Sequence, residues 1–516
     1  MAPRPSLSVR WSPGHWATVR KVVQVAALLA FVVLFVWSRR GGWPAHWVNA
    51  PMRLEPLATL AHALASRTLL VGSTLSLLTV ALTLLFGRAW CGWLCPMGTA
   101  LDMAAPRRAR GRAVPEAWRM AKYALLLTIL WAALLGNLTL LVFDPLTILF
   151  RTLSAAVWPA VDQLVSGAQA LAYRVPFLQE PVAALDMLAR PKVLPPDPAL
   201  YRMSWLFAAV FTAIAALNWW TPRFWCRYLC PLGALLGLLS KVSLLRRQVN
   251  SRCISCDACA RACPTGAIRG DQGYRGDPSE CTVCLDCLAV CPQGAVEFAR
   301  QRRSAAWSSY DPGRRQALAG LGVALAGVGL FRSDAVALRD HPHLIRPPGA
   351  RENNLLAKCI RCGECSRACP TSAIQPALWE SGLEGLWTPT LIPRLGYCDY
   401  SCHACGQVCP VQAIPPLTLE QKRQRVIGTA YINTTRCIPW ADGGDCIVCE
   451  EMCPIPQKAI VLEEVDTEDA LGRPVTVKRP HVVRERCIGC GICEFKCPLN
   501  GESAIRVYVP NDVTPV

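Results

Sequence analysis

Cysteine carries the chemistry of this sequence. Its 516 residues include 28 cysteines, and every one falls in a motif. Eight read Cys253-x2-Cys256-x2-Cys259-x3-Cys263-Pro264 and Cys281-x2-Cys284-x2-Cys287-x3-Cys291-Pro292. Three thiolates in a tight loop grip three irons of a [4Fe–4S] cube, and the fourth reaches across to the other cube. That assigns Cys253, Cys256, Cys259 and Cys291 to one cluster and Cys263, Cys281, Cys284 and Cys287 to its neighbour. Tetrahedral zinc asks for two pairs rather than a doubled triplet plus one.

Sixteen more cysteines form four related groups. Cys359-x2-Cys362-x2-Cys365-x3-Cys369-Pro370 and Cys487-x2-Cys490-x2-Cys493-x3-Cys497-Pro498 are regular. Cys398-x3-Cys402-x2-Cys405-x3-Cys409-Pro410 has one extra residue. Cys437-x8-Cys446-x2-Cys449-x3-Cys453-Pro454 has a loop after its first ligand. Sixteen ligands support four further cubes, six in all. The pairing stays open: neighbouring groups exchange fourth ligands, or the first pairs with the last around a middle pair. The last four cysteines form two C-x3-C-P motifs, Cys91/Cys95 and Cys226/Cys230, each following an apolar run. Residues i and i+4 share a helix face, so the two pairs could converge as a four-thiolate site; a metal site, a redox disulfide and structural thiols remain open there. No C-x-x-C-H occurs, so no c-type haem is indicated.

The segments that must position these thiols are of two kinds. Hydrophobic residues make up 52% of the chain and charged ones 17%, with a net charge of +18. Such a balance excludes a simple cytosolic enzyme, a collagen-like chain and a small disulfide scaffold. Four apolar runs, Val22–Trp37, Leu69–Phe86, Tyr123–Phe143 and Trp205–Trp220, approach the roughly 20 residues of a membrane helix. Residues 1–331 hold 34 Lys+Arg against 15 Asp+Glu. The basic residues sit between the apolar runs, which favours membrane topology over nucleic-acid binding. With the N-terminus inside, segments 1–21, 88–122 and 221–316 carry 25 Lys+Arg and the outer loops 38–68 and 144–204 carry 9, a positive-inside bias. The cluster Arg107, Arg108, Arg110 and Arg112 pins the second inner segment. A fifth run, Ala317–Phe331, is short and rich in Gly and Ala; it suits a signal-type segment and sends the rest of the chain outward. Ala335-Val336-Ala337 reads as a small-residue cleavage site. Residues 144–204 read as an outer loop with short helices.

Order and motifs together resemble two known families. Residues 1–300 resemble the NapH family of membrane ferredoxins, with four helices, two C-x3-C-P motifs and an inner two-cluster ferredoxin. Residues 310–510 resemble the NapG/MauM family of exported four-cluster ferredoxins, and Gly313-Arg314-Arg315-Gln316-Ala317-Leu318 resembles their twin-arginine signal. Similar membrane cores occur in NosR-type and CcoG-type proteins. The two families are usually separate chains, while here they are joined. The fold expected is multidomain: an α-helical membrane core of four to five helices at 1–245, an α+β ferredoxin domain at 246–300, the twin-arginine-like segment or fifth helix at 301–335, and a four-cluster ferredoxin domain at 336–516 on the periplasmic side of a bacterial inner membrane. The resemblance implies quinol oxidation, with electrons passed from the quinone pool to a periplasmic reductase or cytochrome. Glu55, His62 and Asp144, at the outer face, are the expected proton acceptors, since ionisable groups at that depth are functional candidates. A CcoG-like metal reductase or assembly factor using the inner thiols, and a scaffold anchoring a reductase, are the alternatives.

Overall fold

The computed structural model describes residues 13–38, 44–69, 72, 74–105, 114–193, 199–300, 314–332, 343–468 and 472–509. The arginine cluster at 107–112 and the Ala335-Val336-Ala337 site lie outside them, as does Gly313 of the twin-arginine-like motif.

The apolar runs become helices; those of the second and third runs are shorter than the runs, while those of the first, fourth and fifth extend beyond them. They are α1 (Pro13–Trp37), α2 (Pro56–Ser66), α3 (Thr74–Phe86), α4 (Pro96–Ala104), α5 (Arg119–Leu134), α6 (Pro145–Thr152), α7 (Trp158–Ala172), α8 (Ser204–Trp220), α9 (Pro231–Ser240) and α10 (Arg314–Arg332). Among the described residues only His15–Trp37 is both long and apolar enough to cross a membrane; α3 and α8 are apolar but have 13 and 17 residues. The third run breaks because Gly136 takes φ +79, a left-handed C-terminal stop, and Thr139–Phe143 continues as a 3-10 turn. The fifth run is a 19-residue helix lying along α5, where a Cβ on Gly320 would stand 3.3 Å from that of Leu127.

Polarity in these helices is inverted. In α3, Ser76, Thr79 and Thr83 are buried while Leu77 and Leu78 are exposed. In α1, Gln24 is buried and Val22 and Leu29 are exposed; in α8, Asn218 is buried while Trp205 and Trp219 are exposed. The buried groups are tied down: Gln24 donates to the Gly92 carbonyl at 3.0 Å, and Thr79 to that of Leu54 at 2.7 Å.

Each end of the helical unit carries an iron–sulfur-type unit. At one end, β1 (Leu245–Val249) pairs antiparallel with β2 (Val296–Arg300), Leu245 opposite Arg300, closing residues 245–300 into a small domain. Lys122 reaches Glu280 at 2.6 Å, Arg88 reaches the same carboxylate at 3.3 Å, and all three are buried. Trp93 donates to the Val283 carbonyl at 2.9 Å and Arg119 to that of Gly266 at 2.7 Å. At the other end sits the unit of residues 343–509. It has three antiparallel pairs: β3 (Ile374–Pro376) with β4 (Pro389–Leu391), β5 (Thr429–Ile432) with β8 (Ile505–Tyr508), and the long hairpin β6 (Ile460–Glu468) with β7 (Pro474–Val482). Arg151 Nε donates to the Arg361 carbonyl and its Nη2 to that of Trp387, both at 2.6 Å, and Asn137 Nδ2 donates to Glu384 at 3.3 Å. Helix α1 touches both units: Arg20 pairs with Asp286 at 2.9 Å, and the Phe35 carbonyl accepts from Arg367 at 3.4 Å. At about 1.5 Å per residue, those contacts stand roughly 22 Å apart along the axis.

Candidate functional site

The cysteine loops share one backbone solution. In each regular C-x2-C-x2-C group the residues flanking the second cysteine are left-handed: Ser255 and Asp257, Val283 and Leu285, Arg361 and Gly363, Gly489 and Gly491. This coils the loop so that successive N–H groups face its interior, an anion-binding nest. Five of those eight positions are not glycine, so the constraint is the coil and not the residue. After the fourth cysteine the chain turns again, and the Ala267 and Ala295 N–H groups donate to Cys263 Sγ and Cys291 Sγ at 3.3 Å.

Three cavities are ringed by thiols. One of 360 Å³ is lined by Cys253, Cys256, Cys259 and Cys291. One of 490 Å³ is lined by Cys369, Cys398, Cys402 and Cys405, and one of 390 Å³ by Cys437, Cys446, Cys449 and Cys497. The remaining thiols gather in complementary sets. Cys284 has Cys263 and Cys281 as electrostatic neighbours, and Cys281 has Cys287. Cys365 has Cys359 and Cys409, and Cys362 has Cys409. Cys490 has Cys487 and Cys453. The thiols of the groups at 359 and 398 thus lie together crosswise, Cys409 beside the first group and Cys369 beside the second, and Cys453 and Cys497 do the same for the groups at 437 and 487. The four sets between residues 359 and 497 also run in order. Cys365 neighbours Cys405, the Cys398 N–H donates to the Cys490 carbonyl at 2.8 Å, and Cys493 neighbours Cys449.

The first of these sets lies against the helical unit. Ile360 and Cys362 pack in the same apolar core as Leu57, Ala58, Ala61 and Leu146. There Glu55, His62 and Asp144 meet it. Pro56 starts α2 with Glu55 as its cap, accepting from the Leu57 N–H at 3.0 Å and from that of Ala58. Pro145 starts α6 with Asp144 as its cap, Oδ2 accepting from the Thr147 N–H at 2.9 Å. Burial and the neighbouring Asp144 push the Glu55 carboxyl well above its ordinary range. Burial pushes Asp144 up to about 6. Asp144 Oδ1 and His62 Nε2 are buried with no hydrogen-bond partner among the described residues. Burial and then the charge of Lys358 hold His62 down at about 4, and Lys358 directly precedes Cys359 on helix α11 (Glu352–Lys358). Four arginines flank this set. Arg53 neighbours Cys409, Arg151 neighbours Cys359, Cys362 and Cys365, Arg361 donates to the Cys359 carbonyl at 2.7 Å, and Arg367 lies over the Phe35 and Trp158 rings. Sequence reasoning missed these arginines, because only the docking brings them to the thiols. It also missed Glu364, between Cys362 and Cys365, which burial pushes up to about 8.

The two C-x3-C-P pairs converge at the opposite end. Cys230 has Cys226, Cys91 and Cys95 as neighbours, and Cys95 has Cys91 and Cys226. Each pair spans a π turn, Trp90–Leu94 or Trp225–Leu229, and its second cysteine caps a proline-started helix, α4 or α9.

Comparison with known proteins fits this geometry. A family model for a 4Fe-4S binding domain matches residues 68–113 and 201–251, a 4Fe-4S dicluster domain matches 252–295, and a second 4Fe-4S binding domain matches 356–375 and 480–500. The chain is 35% identical over 186 residues to the methylamine utilization ferredoxin-type protein MauM of Methylorubrum extorquens, covering 36% of this chain and 80% of that protein. It is 32% identical over 192 residues to the ferredoxin-type protein NapG of Escherichia coli, covering 36% and 79%. The chain belongs to the MauM/NapG ferredoxin-type family. A 26% match to the ferredoxin-type protein MauN of Paracoccus denitrificans extends over 268 residues, 49% of this chain and 78% of that protein, so this family member joins a MauM/NapG-like and a MauN-like part in one chain. No solved structure matches it. Its function is ferredoxin-type iron–sulfur electron transfer.

Proposed function

We propose that the protein is a quinol-oxidising relay in a bacterial inner membrane, with residues 246–300 on the cytoplasmic side, residues 343–509 on the periplasmic side, and a reductase or cytochrome beyond as acceptor. The observation that carries this reading is the meeting of Glu55, His62 and Asp144 with the Cys359, Cys362, Cys365 and Cys409 set. The membrane is supported by the inverted helices, whose polar groups are inside and whose large apolar side chains are outside; exposed apolar surface of that extent marks a lipid or protein contact. It is supported too by α10, which runs along α5 and connects the two units. Six sets of four thiols suit six clusters, which supply one-electron carriage when bound.

Oxidising quinol releases two protons and two electrons. Two carboxylates crowded in a low-dielectric site do not both ionise, so the more strongly raised one keeps its proton. Glu55 is therefore the protonated partner near neutral pH and Asp144 the ionised one. Asp144 Oδ1 takes the first proton, and the neutral His62, with Nε2 free, takes the second. Arg151 and Arg361 hold positive charge beside the cysteine set where the electrons arrive.

The test uses the full chain purified without oxygen and placed in lipid vesicles. A short-chain quinol analogue should bleach the cluster absorbance, and Asp144→Asn should slow that bleaching. Failure of quinol to reduce clusters that dithionite reduces would remove the proposal.

A further inference from the structure

Two of the cysteine groups between residues 359 and 497 depart from the regular spacing, and only one of them is given a buried charge. Neither the loop at 398 nor that at 437 has the left-handed residues flanking the second cysteine that coil the regular loops. Without that coil fewer backbone N–H groups face the loop interior. At 398 a lysine takes their place. Two lysines are buried among the described residues, Lys122 and Lys422. Lys122 is answered by Glu280 at 2.6 Å. Lys422 has no carboxylate within ion-pair distance among the described residues; its Nζ donates to the Asp399 carbonyl at 2.6 Å. The extra residue of Cys398-x3-Cys402 makes this contact possible. The longer loop folds as a turn in which Asp399 Oδ1 accepts from the Ser401 N–H and hydroxyl at 2.8 and 2.7 Å, and the Asp399 carbonyl is left for Lys422. The lysine is held in place by its helix, α12 (Leu419–Arg423), where Thr418 Oγ1 accepts from the Gln421 N–H at 3.2 Å and Gln421 Oε1 from the Thr418 N–H at 3.0 Å. Arg423 anchors the same helix to the loop, lying over the Tyr400 ring.

Lys422 lines the 490 Å³ cavity together with Cys369, Cys398, Cys402 and Cys405. His403 lines it too, and its Nδ1 is buried with no hydrogen-bond partner among the described residues. The ammonium is an electrostatic neighbour of both Cys398 and Cys402. A buried charge is costly unless an opposite charge answers it, and the anions facing this one are thiolates. The Cys437 set is built differently. Its 390 Å³ cavity is lined by its four cysteines and otherwise by Ile, Val, Leu, Ala and Pro alone. Arg394 touches only backbone there, the Glu494 and Cys497 carbonyls at 3.1 and 3.2 Å. We propose that Lys422 raises the reduction potential of the Cys398 set above that of the Cys437 set and makes it the electron store in the row of four. Each added electron makes a cluster more anionic, so a buried cation or donor beside it favours the reduced form and an apolar lining does not. With quinol as donor, on which this consequence rests, the first electron passes to the Cys398 set and leaves the Cys359 set reoxidised and free to take the second. Lys422 thereby separates a two-electron donor from one-electron carriage beyond. The potential itself does not depend on that donor.

A dithionite titration of the full protein purified without oxygen, followed by paramagnetic resonance, decides it. Loss of one signal in Cys402→Ser identifies the Cys398 set, and loss in Cys446→Ser identifies the Cys437 set. In the wild type the first should titrate at the higher potential. Lys422→Met should keep the iron and lower that midpoint alone by about 59 mV or more, a tenfold fall in the reduced-to-oxidised ratio at fixed potential, since a hydrogen bond from a charged group is worth about ten- to a hundredfold. Lys422→Arg should return most of the shift. A merely structural lysine would change iron content or folding and leave the midpoint of a retained cluster in place. If Lys422→Met loses its cluster, the order of the two wild-type midpoints still decides. An unshifted midpoint in Lys422→Met with its iron retained, or a Cys437 set that titrates at or above the Cys398 set, would each overturn the proposal. None of these readouts involves quinol, so failure of the quinol reading leaves this one standing.

Discussion

Replacing Glu280 by Ala should release the ferredoxin unit of residues 245–300 from the helices. Its carboxylate accepts from Lys122 Nζ at 2.6 and 2.7 Å and from Arg88 Nη1 at 3.3 Å, with side chains 0–1% exposed. Removing one partner of a buried ion cluster leaves the others uncompensated and costs about 3–5 kcal/mol. Since about 1.4 kcal/mol is tenfold, local opening of residues 245–300 should become about a hundredfold to a few thousandfold more frequent. Native-state hydrogen exchange of the β1 and β2 amides measures that opening. The control lies on the same strand pair. Arg252 and Glu297 stand 3.7 Å apart with side chains 64% and 50% exposed, and such pairs contribute about 1 kcal/mol at most. Glu297→Ala should therefore barely change exchange, and salt should erase what it does change. If Glu280→Ala and Glu297→Ala shift protection equally, the buried triad does not hold the unit and the argument from burial fails.

Cys409→Ser should remove about four irons from the Cys359 set while the Cys398 set keeps its cluster, seen as loss of one paramagnetic signal with the rest intact. Quinol bleaching should rise as pH passes about 6, the value to which burial raises Asp144, because only the ionised carboxylate accepts a proton. Asp144→Asn should flatten that profile and slow the rate at least about a hundredfold. The same shift sets a stability trend: a carboxyl raised in the folded state binds its proton more tightly there, so its contribution is present in acid and lost as pH rises through about 6. Thermal unfolding at pH 4.5 to 7.5 (about three units) should show this decline in the wild type and a smaller one in Asp144→Asn. Gly92→Ala places a Cβ 2.1 Å from the Thr282 carbonyl and should cost about 1–3 kcal/mol of docking as overpacking does, read by the same β1 and β2 exchange.

Iron–sulfur character was legible from one dimension, because a cube's loop needs three thiols within seven residues and a proline-marked exit. The apolar runs with basic flanks were legible as helices for the same local reason. Helix ends were not: the third run stops at Leu134 where Gly136 turns left-handed, and nothing in an apolar count marks that. Nor did spacing decide which fourth thiol serves which loop between 359 and 497, since the irregular groups at 398 and 437 satisfy either pairing. That choice depends on how four loops stack. Likewise Arg88 and Arg223 sit at equal offsets before their cysteines, yet only the crossing of the two repeats makes Arg88 a neighbour of Cys230 and brings Arg223 to the Cys91 carbonyl. Local spacing, then, determined what each thiol can bind, because loop coiling and helical phase involve a few adjacent residues. Burial and long-range docking decided which groups share a site and with what charge, because Glu55, Asp144, Lys358 and the Cys359 set meet only after separate helices have packed.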